Sequence, residues 1–340
     1  MRICCLNNYP LDKMWRMADQ GRIPRQHAWG VDTLSSAGHE MILAPFQEPH
    51  ERGLLAKFSG KTRYALGQLD QEAFALGTEA DIYYSADQGS ARALPFLRRR
   101  PVISVMHHSL QPGALSNIST KLHAGFICLS EHVRSCLPMR VRRRSITLPW
   151  GPELNSSLYE SKDESLGIVS AGKSNRDLAT LVQGLARSGD AAVVYDPAEL
   201  ISDPPSNVHL VRPGLSEEDP ASPGVYLARK VIGDIARASV VAVPALLPNR
   251  LTGLTEINDA LALGKPMIVT RSRFLPLAIE RSGAAIFVDP GDIDGWVSAL
   301  NLLRDEGLRR EMGQRGREFA EKSWNYSLWG EGLRTFIEEI

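Results

Sequence analysis

The 340-residue sequence predicts an α/β protein built from two doubly wound parallel-sheet units in tandem. Three observations carry that prediction. Short apolar runs alternate with helix-periodic stretches along the whole chain, as they do where strands are joined by covering helices. The alternation runs through twice, each pass taking about 150 residues, an ordinary domain size. Between the passes, Leu148-Pro149-Trp150-Gly151-Pro152 concentrates two prolines and a glycine, the punctuation of a domain junction.

In the first pass, Arg2–Asn7 is the opening buried strand. It is followed by a polar segment to Pro24 and by Gln26–Ala37, whose Trp29, Val31 and Leu34 have helical spacing up to Gly38. Met41–Ala44, Ile82–Ser85, Val102–Met106, Gly125–Leu129 and Ser145–Leu148 read as further strands. In the second pass, the strands are Leu166–Ser170, Ala191–Tyr195, Val208–Val211, Val240–Val243, Met267–Val269 and Ala285–Val288. Helices are expected over Asp177–Arg187, Thr255–Leu263 and Gly295–Asp305. The domains are therefore placed at 1–150 and 151–322, with a closing helix at about 323–340.

With 43% hydrophobic and 23% charged residues the composition is that of a globular protein. No run of about 18 apolar residues predicts a transmembrane helix, and MRICCLNNYP lacks the apolar core of a signal peptide. The four cysteines (Cys4, Cys5, Cys128, Cys136) form no CxxC pair, so buried thiols in a reducing, cytoplasmic compartment are expected. Zero net charge conceals an asymmetry: residues 1–150 carry 19 Lys/Arg against 12 Asp/Glu, and the remainder 20 against 27. The runs Arg98–Arg100 and Arg140–Arg144 suit a solvated face first, and second a peripheral contact with anionic lipid at the inner membrane face. Nucleic acid is not an expected partner, because the basic runs have no interleaved aromatics.

Two stretches carry chemistry. In VPALLPNRLTGLTEINDALALGKPMIVT, a buried strand ends at Pro244 and Gly253-Leu254-Thr255 opens a helix that Gly264 closes, with Thr255 expected as N-cap. A helix start at the carboxyl edge of an open sheet offers free amides and a positive dipole end to a diphosphate. The second stretch, Ser170 to Asp177, again follows a strand. Gly172 permits close approach, and Lys173 and Arg176 supply two cations fit for a nucleotide diphosphate as ground state and leaving group. Its spacing is not that of a Walker A loop. The plainer alternatives are an ordinary capped helix at the first stretch and a solvated turn at the second, with Asp177 capping the helix that follows.

These segments resemble retaining glycosyltransferase family 4. Gly172-Lys173 falls at that family's Gly-Arg turn and Arg176 near its lysine. ARASVVAVP resembles "ADVFVLPS", DALALGKPMIVT resembles "EAMAAGKPVIAS", VDPGDIDGWVSAL resembles "VPPGDPEALAEAL", and SWNYSLWGEGL resembles the closing "FSWERAAERL" helix. Upstream, VISVMHHSL, LSEHVRSCL and LPWGPELNSSLY match in order, so the likeness runs over about 100–340 and is only an outline before that. The resemblance implies a GT-B fold: two Rossmann-like domains facing a cleft, the first for acceptor, the second for a nucleotide-sugar, with the last helix crossing back. It implies transfer with retention, no metal or other cofactor, and a small-molecule or glycan acceptor.

Residue by residue, Gly172, Lys173, Arg176, Gly253, Leu254 and Thr255 are expected at the donor diphosphate, and His107, after a strand ending in the first domain, at the transferred sugar. A single His in such a place is as often structural. The family's two glutamates eight apart are incomplete here: the second position is Asp259, expected at the ribose, and the first is Leu251. Asn249, Arg250, Thr252 and Glu256 are left as candidates for the sugar. Asn8, Tyr9, Arg25 and His27 are acceptor-side guesses, against the reading of that stretch as a surface loop. Competing classes are an inverting transferase or epimerase on the same frame, with His27 or His107 as base, and a non-catalytic nucleotide-binding scaffold. Donor, acceptor and oligomeric state stay open at this stage.

Overall fold

The computed structural model describes residues 1–46, 69–109, 113–160, 162–172, 175–212, 223–246 and 250–340, with the backbone alone over 223–227. The chain divides into two compact units. Unit 1 comprises Met1–Gln20, Arg25–Trp150 and Tyr326–Ile340, and unit 2 comprises Gly21–Pro24 and Gly151–Asn325.

Unit 1 holds a six-stranded parallel sheet, β1 (Arg2–Leu6), β2 (Glu40–Leu43), β3 (Ile82–Ser85), β4 (Val102–Met106), β5 (Gly125–Cys128) and β6 (Ile146–Thr147), ordered β2-β1-β3-β4-β5-β6. Its described helices are α1 (Leu11–Asp19), α2 (Val31–Ser36), α3 (Leu69–Gly77), α4 (Leu94–Leu97), α5 (Ala114–Leu122), α6 (Glu131–Ser135), α7 (Met139–Arg142) and, from the chain end, α14 (Tyr326–Glu338). Central strands β1, β3, β4 and β5 are buried almost throughout, because a parallel sheet is covered on both faces. Adjacent Cys4 and Cys5 accordingly point to opposite faces and both are buried.

Unit 2 repeats the plan with β7 (Ile168–Ser170), β8 (Ala192–Tyr195), β9 (Val208–Val211), β10 (Val240–Val243), β11 (Met267–Thr270) and β12 (Ala285–Val288), ordered β12-β11-β10-β7-β8-β9. Helices α8 (Leu178–Ser188), α9 (Pro223–Ala236), α10 (Leu254–Ala262), α11 (Leu277–Glu280), α12 (Ile293–Leu302) and α13 (Glu306–Ser323) flank it. The core is anchored by Trp296, which is packed with Leu181, Leu185, Ile268 and Leu300. Read from β7, the chain winds outward through β8 and β9, then returns to build β10, β11 and β12 on the other side. The order therefore reverses between β7 and β10, and in such sheets the crevice beyond that point takes the ligand.

Four sequence expectations are corrected. Gln26–Ala37 is not one helix: a 3₁₀ turn over Arg25–Ala28 is separated from α2 by Trp29 and Gly30, both left-handed (φ 54° and 83°). Thr255 is not the N-cap of α10, which begins at Leu254 with Gly253 as its cap. Helix α12, expected over Gly295–Asp305, starts two residues earlier, at Ile293, capped by Asp292. Cys136 is exposed, while the other three cysteines are buried. Among the described residues no helix is long and apolar enough to cross a membrane.

Candidate functional site

The site in unit 2 is built from the two loops that leave β7 and β10. Gly253 caps α10 in the left-handed region (φ 86°), and a Cβ there would lie 2.3 Å from Cγ1 of Val243. Only glycine can make that turn beside β10. The amides that open α10 therefore have no capping side chain, which leaves them to a ligand.

The β7 loop runs antiparallel against the β10 loop: Arg176 bridges Ala245, Asp177 N donates to Pro244 O at 3.0 Å, and Leu246 N donates to Asn175 O at 2.9 Å. This ladder presses the Arg176 side chain inward onto Gly172. A Cβ at 172 would fall 1.8 Å from Arg176 Nε, so the glycine makes room for the guanidinium. Arg176 Nη2 donates to Glu256 Oε1, and both side chains are 8% exposed. Arg176 and Glu256 thus tie the start of α10 to the β7 loop. A carboxylate in the first turn of α10 also sits favourably in the helix field.

Asp259, one turn further along α10, is 2% exposed and accepts a 2.7 Å hydrogen bond from Tyr159 Oη. Burial pushes its carboxyl up to about 7, with Glu256 adding to the rise and the tyrosine hydroxyl opposing it. Its neighbour Asn258 accepts from Trp324 Nε1 at 3.0 Å. Beside the capping glycine, Thr252 Oγ1 is shielded from solvent with no hydrogen-bond partner among the described residues, and so is Ser170 Oγ at the end of β7. Two buried hydroxyls flanking one switch point are poised for an acceptor atom that a ligand would bring.

The sequence candidates therefore sort as follows. Gly172, Arg176, Gly253, Leu254, Thr255, Glu256 and Asp259 come together at the β7/β10 switch point. Arg176 and Glu256 are joined to one another there, which the sequence reading of them as separate phosphate and sugar ligands did not contain. Arg250 is half-buried just ahead of α10. Lys173 and Asn249 lie outside the described residues. Thr252, a sequence candidate for the sugar, lies beside the capping glycine with its hydroxyl buried. Tyr159 gained its place from the structure: 100 residues separate it from Asp259, and no local pattern signals that pairing.

In unit 1 the edge beyond β1, β3 and β4 gathers a second group. His107 follows β4; its backbone N donates to Gln88 Oε1 at 2.8 Å, and its Nε2 lies 3.1 Å from Ala86 O. A carbonyl can only accept, so Nε2 is the donor in this contact. The ring packs edge-on against Trp29 at 5.0 Å, and Trp29 stacks on Trp150 at 4.8 Å. Tyr9 Oη donates to His27 O at 3.1 Å and accepts from Trp29 Nε1, and His27 lies edge-on to Trp150. Asn8 is exposed beside them. Arg25 is instead held by Asp19 (2.8 Å) and Asp32 (3.4 Å), which gives it a structural role. Trp29 and Trp150, missed as site residues, fix the left-handed turn that carries this group.

No protein-family model matches the chain. Over 113 residues, 33% of the chain, it is 34% identical to a D-inositol 3-phosphate glycosyltransferase of Corynebacterium jeikeium, of which that stretch covers 26%. The chain thus spans about a quarter of the length of this curated relative. Among solved structures, sucrose-phosphate synthase from Thermosynechococcus elongatus superposes with a TM-score of 0.70 at 16% identity, covering 100% of this chain and 98% of that one. Anabaena HepE in complex with UDP and glucose superposes with a TM-score of 0.66 at 12% identity, both chains covered in full. At such identities the likeness speaks to the fold alone, and the fold is that of the GT-B glycosyltransferases.

Proposed function

We propose that the chain is a glycosyltransferase that moves a sugar from a nucleoside diphosphate sugar to an acceptor hydroxyl. One observation carries the reading: the uncapped start of α10 and the Gly172 turn meet at the β7/β10 switch point, where an α/β sheet of this order binds its ligand. The relative named as a glycosyltransferase and the neighbour bound to UDP and glucose support it from outside the chain.

In this reading the amides of Leu254 and Thr255, with Gly172 and Lys173, take the diphosphate, and Thr252 and Ser170 offer hydroxyls to it. Asp259 accepts from the ribose. Arg176, bound to Glu256, contributes a fixed field that strengthens as negative charge builds on the leaving phosphate. Asn249, Arg250 and Glu256 are assigned to the transferred sugar. Retention is the expected outcome, the departing phosphate taking the acceptor's proton. The amides and cations supply the charge stabilisation, so transfer is expected without a metal. In unit 1, His107 is assigned to the transferred sugar, and Asn8, Tyr9 and His27 to the acceptor. The cytoplasm is the proposed compartment.

The test is a thermal-shift panel of nucleotide sugars, since a ligand at about 100 times its Kd stabilises by roughly 2.7 kcal/mol. The hit is then offered acceptors with and without EDTA, and the product's anomeric configuration is read by NMR. Lys173→Ala and Arg176→Ala should each cut transfer at least about tenfold, the loss of one charge-assisted contact in the transition state. A chain that binds no nucleotide sugar, or two variants with parental rates, would refute the assignment.

A further inference from the structure

Helix α5 has its polarity inverted. Leu115 and Ile118 are 54% and 45% exposed, with half-buried Leu122 continuing the same face at helical spacing. The inward face carries Ser119 and Thr120, which are 6% and 4% exposed. These inward polar groups are satisfied locally: Ser119 Oγ donates to Arg92 O at 2.8 Å and Thr120 Oγ1 to Ser116 O at 2.7 Å. His123, which caps the helix end, gives its Nδ1 proton to Ser119 O and accepts from Ser104 Oγ at Nε2. Burial pushes its pKa down to about 4, in keeping with that neutral state. A helix facing water would be arranged the other way round.

The exposed apolar stripe does not stand alone. α5 packs against α4 and α7 in the same unit, and these bring Phe96, Leu97 and Met139, all exposed. Apolar surface on three neighbouring helices marks an interaction site. Its surroundings identify the partner. Residues 88–152 carry ten Lys/Arg and one acidic residue, Glu131. Arg98, Arg99 and Arg100 follow α4 directly and are exposed, as are Lys121 on α5 and Arg140 and Arg143 on or beside α7.

We infer that α4, α5 and α7 form a membrane-docking face that lies on an anionic phospholipid surface. The leucine, isoleucine, phenylalanine and methionine side chains enter the boundary between headgroups and acyl chains, and the arginines meet lipid phosphates. A protein partner would call for acidic counterparts that a second copy of this face does not have, since it is itself uniformly basic. The absence of interleaved aromatics in the arginine runs argues against nucleic acid. This inference stands apart from the transferase reading and is tested by binding alone.

The experiment is co-sedimentation of the full chain with vesicles of phosphatidylcholine, alone or mixed with phosphatidylglycerol, at low and high salt. The parent should partition onto the mixed vesicles, weakly onto the neutral ones, and less as salt rises. At about fivefold per cation, R98Q/R99Q/R100Q should lose about two orders of magnitude in partition. L115S/I118S should lose at least about tenfold while keeping its salt dependence. All five side chains are exposed, so circular dichroism and thermal unfolding should match the parent. Four results would overturn the inference: no binding of the parent, equal binding to neutral and anionic vesicles, parental partition of both variants, or a dimer that L115S/I118S dissolves without any vesicle binding.

Discussion

Breaking the Arg176–Glu256 pair is the sharpest perturbation of the unit 2 site. Both side chains are 8% exposed, so Glu256→Gln leaves the guanidinium in a poorly solvated place without its counter-charge. Removing one partner of a buried pair costs about 3–5 kcal/mol, whereas replacing both with apolar side chains of like volume is close to neutral. For a unit of this size the cost lowers the midpoint by about 6–20 °C, at roughly 2–4 °C per kcal/mol. E256Q and R176M should each show that loss by calorimetry. R176M/E256L should return to within about 2 kcal/mol of the parent, so that the cycle yields a coupling well above the ~0.5 kcal/mol expected of independent sites. Nucleoside diphosphate affinity supplies a second readout. E256Q removes a negative charge beside the proposed diphosphate site, so the folded fraction should bind more tightly at low salt, and R176M more weakly. An E256Q protein within about 1 kcal/mol of the parent, or a double variant as unstable as the sum of the singles, would refute the pair as the tie between the two loops.

Three further outcomes follow from the same geometry. Gly253→Ala places a Cβ 2.3 Å from Val243 Cγ1 at φ 86°; left-handed strain and the clash together should cost about 2–4 kcal/mol and abolish the nucleotide thermal shift, and retention of that shift would unseat the α10 start as the binding point. Asp259 and Glu72 are each raised to about 7 by burial, from 3.8 and 4.5, so the native chain holds protons that the unfolded chain has released. Stability from these two groups is present below pH ~4 and falls as pH rises to ~7, by at most about 4 kcal/mol for Asp259. Asp259→Asn should flatten the unit 2 part of that slope, and an unchanged slope would contradict it. His123, lowered to about 4 from 6.5, works in the opposite sense, losing stability as pH falls between those values. Tyr159→Phe withdraws the hydroxyl that favours the Asp259 carboxylate, so nucleotide affinity near pH 7 should fall several-fold and recover on raising pH by about 1.5 units; an affinity loss equal at both pH values would assign Tyr159 a direct contact instead.

The strands were legible because a sheet covered on both faces demands unbroken apolar runs, and VISVM, VVAV and MIVT are such runs. Helix limits were less so. Trp29 and Gly30 look like interior helix residues by spacing, but both are left-handed in the structure, where Trp29 stacks on Trp150 and meets His107 edge-on and a Cβ at Gly30 would lie 2.2 Å from Leu333 Cδ2. Thr255 has the chemistry of an N-cap, but β10 packs so close that glycine at 253 must make the turn, which moves the cap two residues upstream. The site was legible as two glycine turns after two strands, because those are local. The Arg176–Glu256 pair spans 80 residues. It depends on the antiparallel bridge between two loops that have no periodicity to read.

That pairing bears on position 251, where the resemblance to family 4 expects a glutamate and the chain has Leu251. With Leu251 in its place, α10 carries acidic groups at Glu256 and Asp259, one turn apart and both buried. An uncompensated carboxylate in that first turn would repel an anion bound at the helix start. Arg176 compensates the charge of Glu256 there, and Asp259 lies further along the helix in its hydrogen bond with Tyr159. The β7 loop therefore does more than line the site. By delivering Arg176 to Glu256 it compensates a charge at the start of α10, which in the proposed reading keeps the helix end attractive to a diphosphate despite its acidic first turn. Restoring a glutamate at position 251 tests this directly. If charge balance at the helix start governs donor affinity, Leu251→Glu should weaken nucleoside diphosphate binding in the parent and less so alongside E256Q. Equal losses in both backgrounds would show that the two positions act independently.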